Sequence, residues 1–334
     1  MKKFSLNILI LVAAAAVSFA VTGCGKKATS EEVKIGISKI VSHPALYSVE
    51  KGIQDELKDL GFKKVTYDLQ NANGELSTAS SIAQKFKSDK VDIAVGIATP
   101  TSQALVNVMD ETIVIYSAVT DPVDAGLVTS FNKGEKNITG VSDMTPVKDQ
   151  ITFLMKLKKI KKLGHIYASH EANAVTLAKM AKSACQELGI EFIETTVNNS
   201  SEVKQAAQSI AGRVDAFYLS TDNTVISALS AVADVAKANK IPIMSADPSS
   251  AEKFEVLAAW GFDYYKMGRA TGKLISRILN GEKPESIGTV FMTDPSDVDL
   301  LINLDVAESL GIKIPDNIVK QASRVVKNGE LVKK

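Results

Sequence analysis

The chain alternates between short, uninterrupted apolar runs and longer stretches with helical spacing. Residues 93–98 are apolar throughout, which is typical of a strand covered on both faces of a parallel sheet. The pattern after this run predicts that Thr99 caps a helix and that Pro100 takes its first position. Free backbone N–H groups at such a helix start attract an anion or a carboxylate. An ordinary capped turn is the alternative interpretation.

This alternation of strand and helix occurs twice in succession. The first series predicts strands at 33–37, 64–68, 93–98 and 112–118, with helices at 44–60, 78–87 and after 99. The second predicts strands at 162–167, 191–197, 215–219 and 241–244, with helices at 172–188, 202–212 and 224–239. Two such series predict an α/β protein with two doubly wound parallel-sheet lobes.

The remaining elements predict how the two lobes are connected. An amphipathic helix at 264–279 is expected to return to the first lobe, and the chain after 292 is expected to go back to the second. The chain would then cross between the lobes three times. The N-terminal lobe is predicted at 33–144 and 264–292, and the C-terminal lobe at 145–263 and 293–334. Residues 324–332 carry a β-hairpin signal around Asn328 and Gly329.

The N-terminus has the composition of a secretory signal peptide. A short basic start leads into an apolar segment that ends at Val21-Thr22-Gly23-Cys24, which resembles the bacterial lipobox. We therefore predict a signal peptide at 1–23, a lipid on Cys24 and a polar tether at 24–32. The protein would be held on the outer face of the membrane or in the periplasm, with an ordinary secreted form as the alternative.

The charge balance of the chain argues against a nucleic-acid partner. Loss of Lys2 and Lys3 with the signal leaves 37 of the 39 basic residues against 38 acidic ones. No stripe of basic residues accompanies this near-neutral balance. If Cys24 is acylated, Cys185 has no partner for a disulfide, and its helical position predicts a buried small residue.

Polar residues follow the carboxyl ends of strands in both series, where α/β sheets bind ligands. The candidate ligand-binding residues are Ser42, Pro44, Tyr47, Asn71, Asn73, Thr99, Pro100, Thr101, Thr120, Asp121, Thr221, Asp222, Asn223 and Asp247. The first lobe offers mainly neutral donors, whereas the second offers carboxylates. This distribution suits a zwitterion with its carboxylate on the first lobe and its ammonium on the second. For any single aspartate, capping of a helix is the alternative role.

Motifs for catalysis are absent from the sequence. It contains no G-x-S-x-G, P-loop, G-x-G-x-x-G or C-x-x-C motif, and its three histidines lack metal-ligand spacing. His43 precedes a helix and is a candidate for ligand contact, whereas His165 lies within a predicted strand and is expected in the core. We predict neither an enzyme nor a bound cofactor or metal.

Several segments together resemble a known family. They are residues 37–46, 70–74, 97–100, 118–122, 140–146, 221–224 and 263–269. The chain is similar, over about 33–326, to the bacterial substrate-binding proteins that serve ABC importers and include tryptophan- and tyrosine-binding lipoproteins. This resemblance implies a type I periplasmic-binding-protein fold, hinge closure on a ligand between the lobes, and delivery to an ABC permease with its ATPase. An aromatic amino acid is the first expectation for the ligand, with other amino acids, short peptides and non-amino-acid nutrients as alternatives.

Two positions depart from the pattern of that family. Tyr47 stands where an aspartate is usual, and Ala246-Asp247-Pro248-Ser249 replaces a common Gly-Asp-Ser-Gly turn. Tyr47 is compatible with stacking on the ligand, with filling the place of a ligand side chain, or with a helix surface. A surface receptor that signals through a membrane partner without transport is the alternative function, and an outer-surface enzyme is a third class.

Overall fold

The computed structural model describes residues 32–252 and 256–334. The predicted signal peptide, the lipidation site Cys24 and the tether as far as residue 31 lie outside the described residues. The strands are β1 Val33–Lys39, β2 Val65–Asn71, β3 Ile93–Ile97, β4 Ile113–Val119, β5 Ile138–Ser142, β6 Lys162–Ala168, β7 Glu191–Val197, β8 Ala216–Leu219, β9 Ile243–Ser245, β10 Ala258–Phe262, β11 Val290–Phe291, β12 Val298–Asn303, β13 Arg324–Lys327 and β14 Glu330–Lys333.

Helices follow most of these strands. They are α1 Pro44–Asp59, α2 Leu76–Ser88, α3 Thr99–Val106, α4 Val147–Leu157, α5 Ala172–Leu188, α6 Val203–Ala211, α7 Asn223–Ser227, α8 Leu229–Asn239, α9 Pro248–Ala251, α10 Tyr264–Leu279, α11 Leu304–Ser309 and α12 Asp316–Gln321.

The strands form two separate sheets. The first has the order β11-β5-β4-β3-β1-β2, and all of its neighbouring pairs are parallel. The second has the order β14-β13-β12-β10-β9-β8-β6-β7 and is parallel from β10 to β7, with β12 antiparallel to β10. The predicted fold class, two doubly wound α/β lobes, is confirmed.

Each sheet is covered by helices, as the continuous apolar strands require. Ile37, Val95 and Ile115 are fully buried in the core of the first lobe. Apolar clusters cover the second sheet, and Cys185 is buried in one of them. His165 is also fully buried, and its Nδ1–H donates to the carbonyl oxygen of Tyr218 at 2.8 Å, because a carbonyl can only accept.

The chain passes between the two sheets three times. It leaves the first sheet after β5, returns after β10 to form α10 and β11, and leaves again before β12. Helix α10 packs along α1 at very short range, because Gly52 and Gly268 face each other's helix backbone. The predicted residue limits of the two lobes stay a prediction, because these limits depend on which residues move together as one rigid body.

The structure also corrects several predicted elements. The cap of α3 is Ala98, not Thr99, so Thr99 is the first helical residue and Pro100 the second. The helix predicted at 224–239 is divided into α7 and α8 at Ala228, whose φ of −111° and ψ of 24° are not helical. The C-terminal hairpin is confirmed, with positive φ angles at Asn328 and Gly329 in its turn.

Candidate functional site

A cavity of about 30 Å³ lies between the two lobes, at the carboxyl ends of their parallel strands. Residues from both lobes line the cavity: Val41, His43, Ala45, Leu46, Ala98, Ala118, Thr120, Asp143, Asn173, Thr221, Asp222, Asn223, Ile226, Asp247 and Tyr264. The lining combines apolar side chains with three aspartates, Asp143, Asp222 and Asp247, and these residues include no Lys or Arg.

The first-lobe wall of the cavity has two residues in unusual backbone conformations. Ala98 has φ 80° and ψ 159°, a region that is almost restricted to glycine, and Ala118 has φ 55°. Such conformations cost about 1–3 kcal/mol each and concentrate at functional sites. At Ala98 the strained geometry turns the chain from β3 directly into α3. The start of α3 is thereby presented at the cavity wall with backbone N–H groups that α-helical bonding leaves free.

His43 and Asp247 meet across the cleft and link the two lobes. His43 caps α1, and its Nδ1 accepts a hydrogen bond from the N–H of Ala45 at 3.2 Å. The ring proton of the neutral imidazole is therefore on Nε2, which lies 3.4 Å from Oδ2 of Asp247. Burial lowers the pKa of His43 despite the opposing charge of Asp247, so the contact is made by a neutral imidazole at neutral pH.

Asp143 is a second carboxylate of the cavity and is almost fully buried. It accepts hydrogen bonds from the hydroxyls of Tyr264 at 3.0 Å and Thr120 at 3.3 Å. Burial raises the pKa of Asp143 to about 6, and these two hydroxyls oppose that effect. Neither Asp143 nor Tyr264 is among the residues predicted from the sequence. Asp143 could have been found, because it follows the apolar strand β5 as the predicted residues follow theirs.

Asp222 lines the cavity but its carboxylate is used within the second lobe. It accepts hydrogen bonds from the N–H groups of Val225 at 2.8 Å and Ala168 at 2.6 Å. Burial and the neighbouring charge of Glu171 raise the pKa of Asp222. Glu171 in turn accepts from the N–H and hydroxyl of Thr224. The capping role that the sequence left open as an alternative is thus present at Asp222.

Asn173 and Thr221 form a polar end of the cavity. Asn173 is only 5% exposed, and its Nδ2 donates to the carbonyl of Thr221 at 3.1 Å and to Glu171 at 3.4 Å. Its Oδ1 is buried and has no hydrogen-bond partner, and the same is true of the Thr221 hydroxyl. Asn173 was not predicted, because it lies in the first turn of a long helix and not in the strand-end turn.

The structure brings five of the predicted ligand-binding residues to the cavity lining. They are Thr120, Thr221, Asp222, Asn223 and Asp247. Thr99 follows the lining residue Ala98, and its hydroxyl is buried without a hydrogen-bond partner.

The other predicted residues lie around the cavity and not in its lining. The Thr101 hydroxyl donates to the Ile97 carbonyl at 2.8 Å, and Asp121 caps the N–H groups of Val123 and Asp124. Pro100 lines a separate hollow of the first lobe with Gln103 and Leu127. Their polar groups are consumed by local turns, a role that a sequence pattern does not distinguish from ligand binding.

The remaining candidates from the first lobe lie near the start of α1 and the end of β2, and two of them line an opening between the lobes. Ser42 and Asn73 face His170 and Asn199 of the second lobe there, and Asn71 donates to the Ser42 hydroxyl at 2.7 Å. Pro44 is exposed at the start of α1. Tyr47 is 46% exposed, and its ring lies 4.9 Å from the ammonium of Lys39. This side chain is on the surface of α1, and a contact between Tyr47 and the ligand stays a prediction.

Within residues 32–252 and 256–334, no group of His, Cys, Asp and Glu has the arrangement of a metal site. No helix among the same residues has both the length and the apolar character needed to cross a membrane.

Two α/β lobes that face each other across a polar cavity are the architecture of the type I periplasmic-binding-protein fold. A leucine-binding protein from Thermotoga maritima, 15% identical with a TM-score of 0.61, has this fold and covers 90% of the present chain and 97% of its own. Residues 34–326 match the model of the ABC transporter substrate binding protein family. The chain belongs to this family and is a binding protein, not an enzyme.

Relatives with higher identity cover nearly the whole chain. A protein of Clostridioides difficile named tyrosine-binding protein is 35% identical over 326 residues, which are 92% of this chain and 93% of the relative. A crystal structure from Streptococcus pneumonia in complex with L-Trp is 32% identical, with a TM-score of 0.85 and coverage of 89% and 100%.

A third relative differs in conformation. The ligand-free, open structure of a substrate binding protein with adhesive properties from Clostridium difficile is 35% identical, and covers 85% of this chain and 97% of its own. Its TM-score is only 0.66, against 0.85 for the L-Trp complex, although its identity is slightly higher. The lobes of the present structure are therefore arranged as in the ligand-bound relative.

Proposed function

We propose that the protein is the extracytoplasmic receptor of an ABC importer and that it captures an aromatic amino acid between its lobes. The observation that carries this proposal is the cavity at the facing strand ends, where carboxylates of both lobes converge. The names of the relatives, one tyrosine-binding and one in complex with L-Trp, support an aromatic amino acid as the ligand.

In this mechanism the ligand ammonium interacts with Asp247. This carboxylate is 3% exposed, and one of its oxygens already accepts from the N–H and hydroxyl of Ser249 at 2.9 and 2.6 Å. The other oxygen, Oδ2, lies 3.4 Å from Nε2 of His43, and the ligand ammonium would replace this contact. Asp143 adds negative potential from the first lobe, because its charge interacts with that of Asp247.

The ligand carboxylate interacts with the first lobe at the start of α3. The free N–H groups of this helix turn and the unpartnered Thr99 hydroxyl supply donors there. Since the two charged groups of the ligand contact different lobes, binding favours the closed arrangement over the open one.

After capture, the protein would deliver the bound ligand to a transporter in the membrane. A lipid on Cys24 would hold the receptor at the membrane surface, and the closed form would be recognised by the permease and its ATPase. The lobes would move as bodies near 33–144 with 264–292 and 145–263 with 293–334, with bending confined to the three crossings.

The test is a thermal-shift and calorimetric titration of the purified domain with L-tyrosine, L-tryptophan and L-phenylalanine. A ligand at a hundredfold excess over its Kd stabilises the folded state by about 2.7 kcal/mol. Asp247→Asn removes the charge that pairs with the ammonium and is expected to abolish the shift. Asp305→Asn, in the C-terminal part of the same lobe where Asp305 accepts from the N–H groups of Asn328 and Gly329, serves as the control. Unaltered binding by Asp247→Asn would remove Asp247 from the site.

A further inference from the structure

We propose that Asn173 selects ligands whose side chain carries a hydrogen-bond donor, such as a phenol or an indole, over those whose ring has none. The inference rests on the proposed function, because it names the part of the cavity that reads the side chain of a bound aromatic amino acid. It concerns a residue that the sequence pattern did not identify.

The orientation of the Asn173 amide follows from its neighbours. A backbone carbonyl oxygen and a carboxylate oxygen only accept hydrogen bonds, and the amide group facing Thr221 and Glu171 must therefore be the NH₂. The carbonyl oxygen Oδ1 is thereby fixed on the other side of the amide, where it is buried without a hydrogen-bond partner, and Asn173 lines the cavity. The empty cavity thus contains an acceptor whose direction is already set.

Leaving this acceptor unpaired is costly. A buried polar atom without a hydrogen bond costs about 1–3 kcal/mol, and Asn173 is only 5% exposed. The Thr221 hydroxyl, also buried and unpartnered, lies at the same end of the cavity. A ligand O–H or N–H would donate a hydrogen bond to Oδ1 of Asn173, whereas a phenyl ring would leave this buried oxygen without a hydrogen-bond partner.

The position of Asn173 separates it from the proposed ammonium site. Asp247 follows β9, Thr221 follows β8 and Asn173 begins the helix after β6, and these three strands are consecutive neighbours in the second sheet. Two strand spacings place the two ends of the cavity about 10 Å apart. An amino acid whose ammonium is at Asp247 therefore reaches Asn173 with the far end of its side chain.

The apolar residues of the cavity are suited to the ring between these ends. Val41 and Leu46 come from the first lobe and Ile226 from the second, and all three are buried. These apolar side chains do not distinguish phenylalanine from tyrosine, because the faces of the two rings have the same polarity. The choice between these ligands thus depends on the acceptor at the end of the cavity.

The experiment compares L-tyrosine with L-phenylalanine by calorimetry on the wild-type protein and on Asn173→Leu. The wild type is expected to bind tyrosine at least tenfold more tightly than phenylalanine. In Asn173→Leu this ratio is expected to fall below about threefold, mainly through weaker binding of tyrosine. Asn239→Leu is the matched control, because Asn239 donates a comparable hydrogen bond to Val235 in the same lobe but outside the cavity.

Thr221→Val provides a second variant that does not disturb the fold. Its hydroxyl has no partner within the protein, so the substitution removes no internal hydrogen bond. The tyrosine-to-phenylalanine ratio is expected to fall here as well, with an unchanged melting temperature of the free protein.

The possible outcomes separate this inference from the proposed function. Equal losses of tyrosine and phenylalanine affinity in Asn173→Leu would place Asn173 against the ligand backbone and overturn the inference alone. A wild-type protein that binds both ligands with equal affinity would also overturn it. Failure of the wild type to bind any aromatic amino acid would overturn the proposed function and this inference together.

Discussion

The carboxylates of the cavity illustrate how identical side chains acquire different roles from their neighbours. Asp222 accepts from two backbone N–H groups of its own lobe, whereas Asp143 accepts from the hydroxyls of Thr120 and Tyr264. Hydroxyl groups can rotate and can donate elsewhere, but backbone N–H groups are fixed. Asp143 is therefore the carboxylate whose protonation can change without breaking a helix cap.

The stability of the ligand-free protein should depend on pH through Asp143. Its pKa is raised from 3.8 to about 6, so the folded state holds this proton more tightly than the unfolded chain. The resulting stabilisation is complete below pH 3.8 and is lost as the pH rises through 6. The amide in Asp143→Asn cannot ionise. The free energy of unfolding of this variant, relative to that of the wild type, should therefore increase by up to about 3 kcal/mol between pH 4 and pH 7. Urea unfolding at several pH values measures this, and a constant difference would contradict it.

At the same scale, a residue in a strand-end turn could be predicted from the sequence, whereas a residue within a helix could not. Asp247 could be predicted because it directly follows a buried strand. Asn173 could not, since three residues and a helix cap separate it from β6. Thr101 and Asp121 matched the same pattern, but their polar groups bond to the local backbone. The sequence pattern does not distinguish a turn whose polar side chains bond to the local backbone from one whose donors face the cavity.

Among the secondary-structure elements, the packing of α1 on α10 has the narrowest tolerance. A Cβ atom at Gly52 would lie 2.3 Å from the Tyr265 carbonyl oxygen, and one at Gly268 would lie 2.2 Å from that of Val49. Backbone atoms cannot yield as the end of a flexible side chain can. The approach of the two helices is therefore set by the absence of side chains at these positions.

Gly52→Ala should force the two helices apart and destabilise the protein. The free energy of unfolding is expected to fall by about 3 kcal/mol, the upper part of the range for overpacking a core. Gly212→Ala is a suitable control, because a Cβ there meets no atom within 4 Å and its φ of −72° is ordinary. Chemical denaturation of both variants provides the comparison, and equal effects would show that α1 and α10 can separate freely.

Long amphipathic helices and apolar strands were predicted well because their periodicity is local. The bounds of α5 and α10 agree with the sequence pattern to the residue. The break between α7 and α8 was missed, since Ala228 carries no sequence signal of a helix end. The capping position of α3 was also wrong, because the conformation of Ala98 is one that alanine rarely adopts on its own.

Considered as a whole molecule, the closed arrangement is also stabilised outside the cavity. The Thr176 hydroxyl on α5 donates to Asp124, in the loop after β4 of the other lobe, at 2.6 Å. This bond can form only when the lobes approach each other. Neither Thr176 nor Asp124 is among the residues that line the cavity.

Thr176→Val should shift the protein toward its open form. Loss of one hydrogen bond of about 1 kcal/mol is expected to weaken ligand affinity by about fivefold, although the cavity is unchanged. Small-angle scattering of the ligand-free variant should give a larger radius of gyration than the wild type. Thr152→Val is the control, because the Thr152 hydroxyl bonds within its own helix to Lys148. Unchanged scattering and affinity would exclude this contact as a determinant of closure.

The pairing of His43 with Asp247 has a consequence for how affinity should be understood. Each empty, closed molecule already provides its acid with a neutral N–H donor from the opposite lobe. In the proposed mechanism an arriving ammonium would compete with this internal donor, so that a Kd for the ligand would report an exchange of hydrogen-bond partners at Asp247. The same contact would then disfavour cations that interact only weakly with this carboxylate.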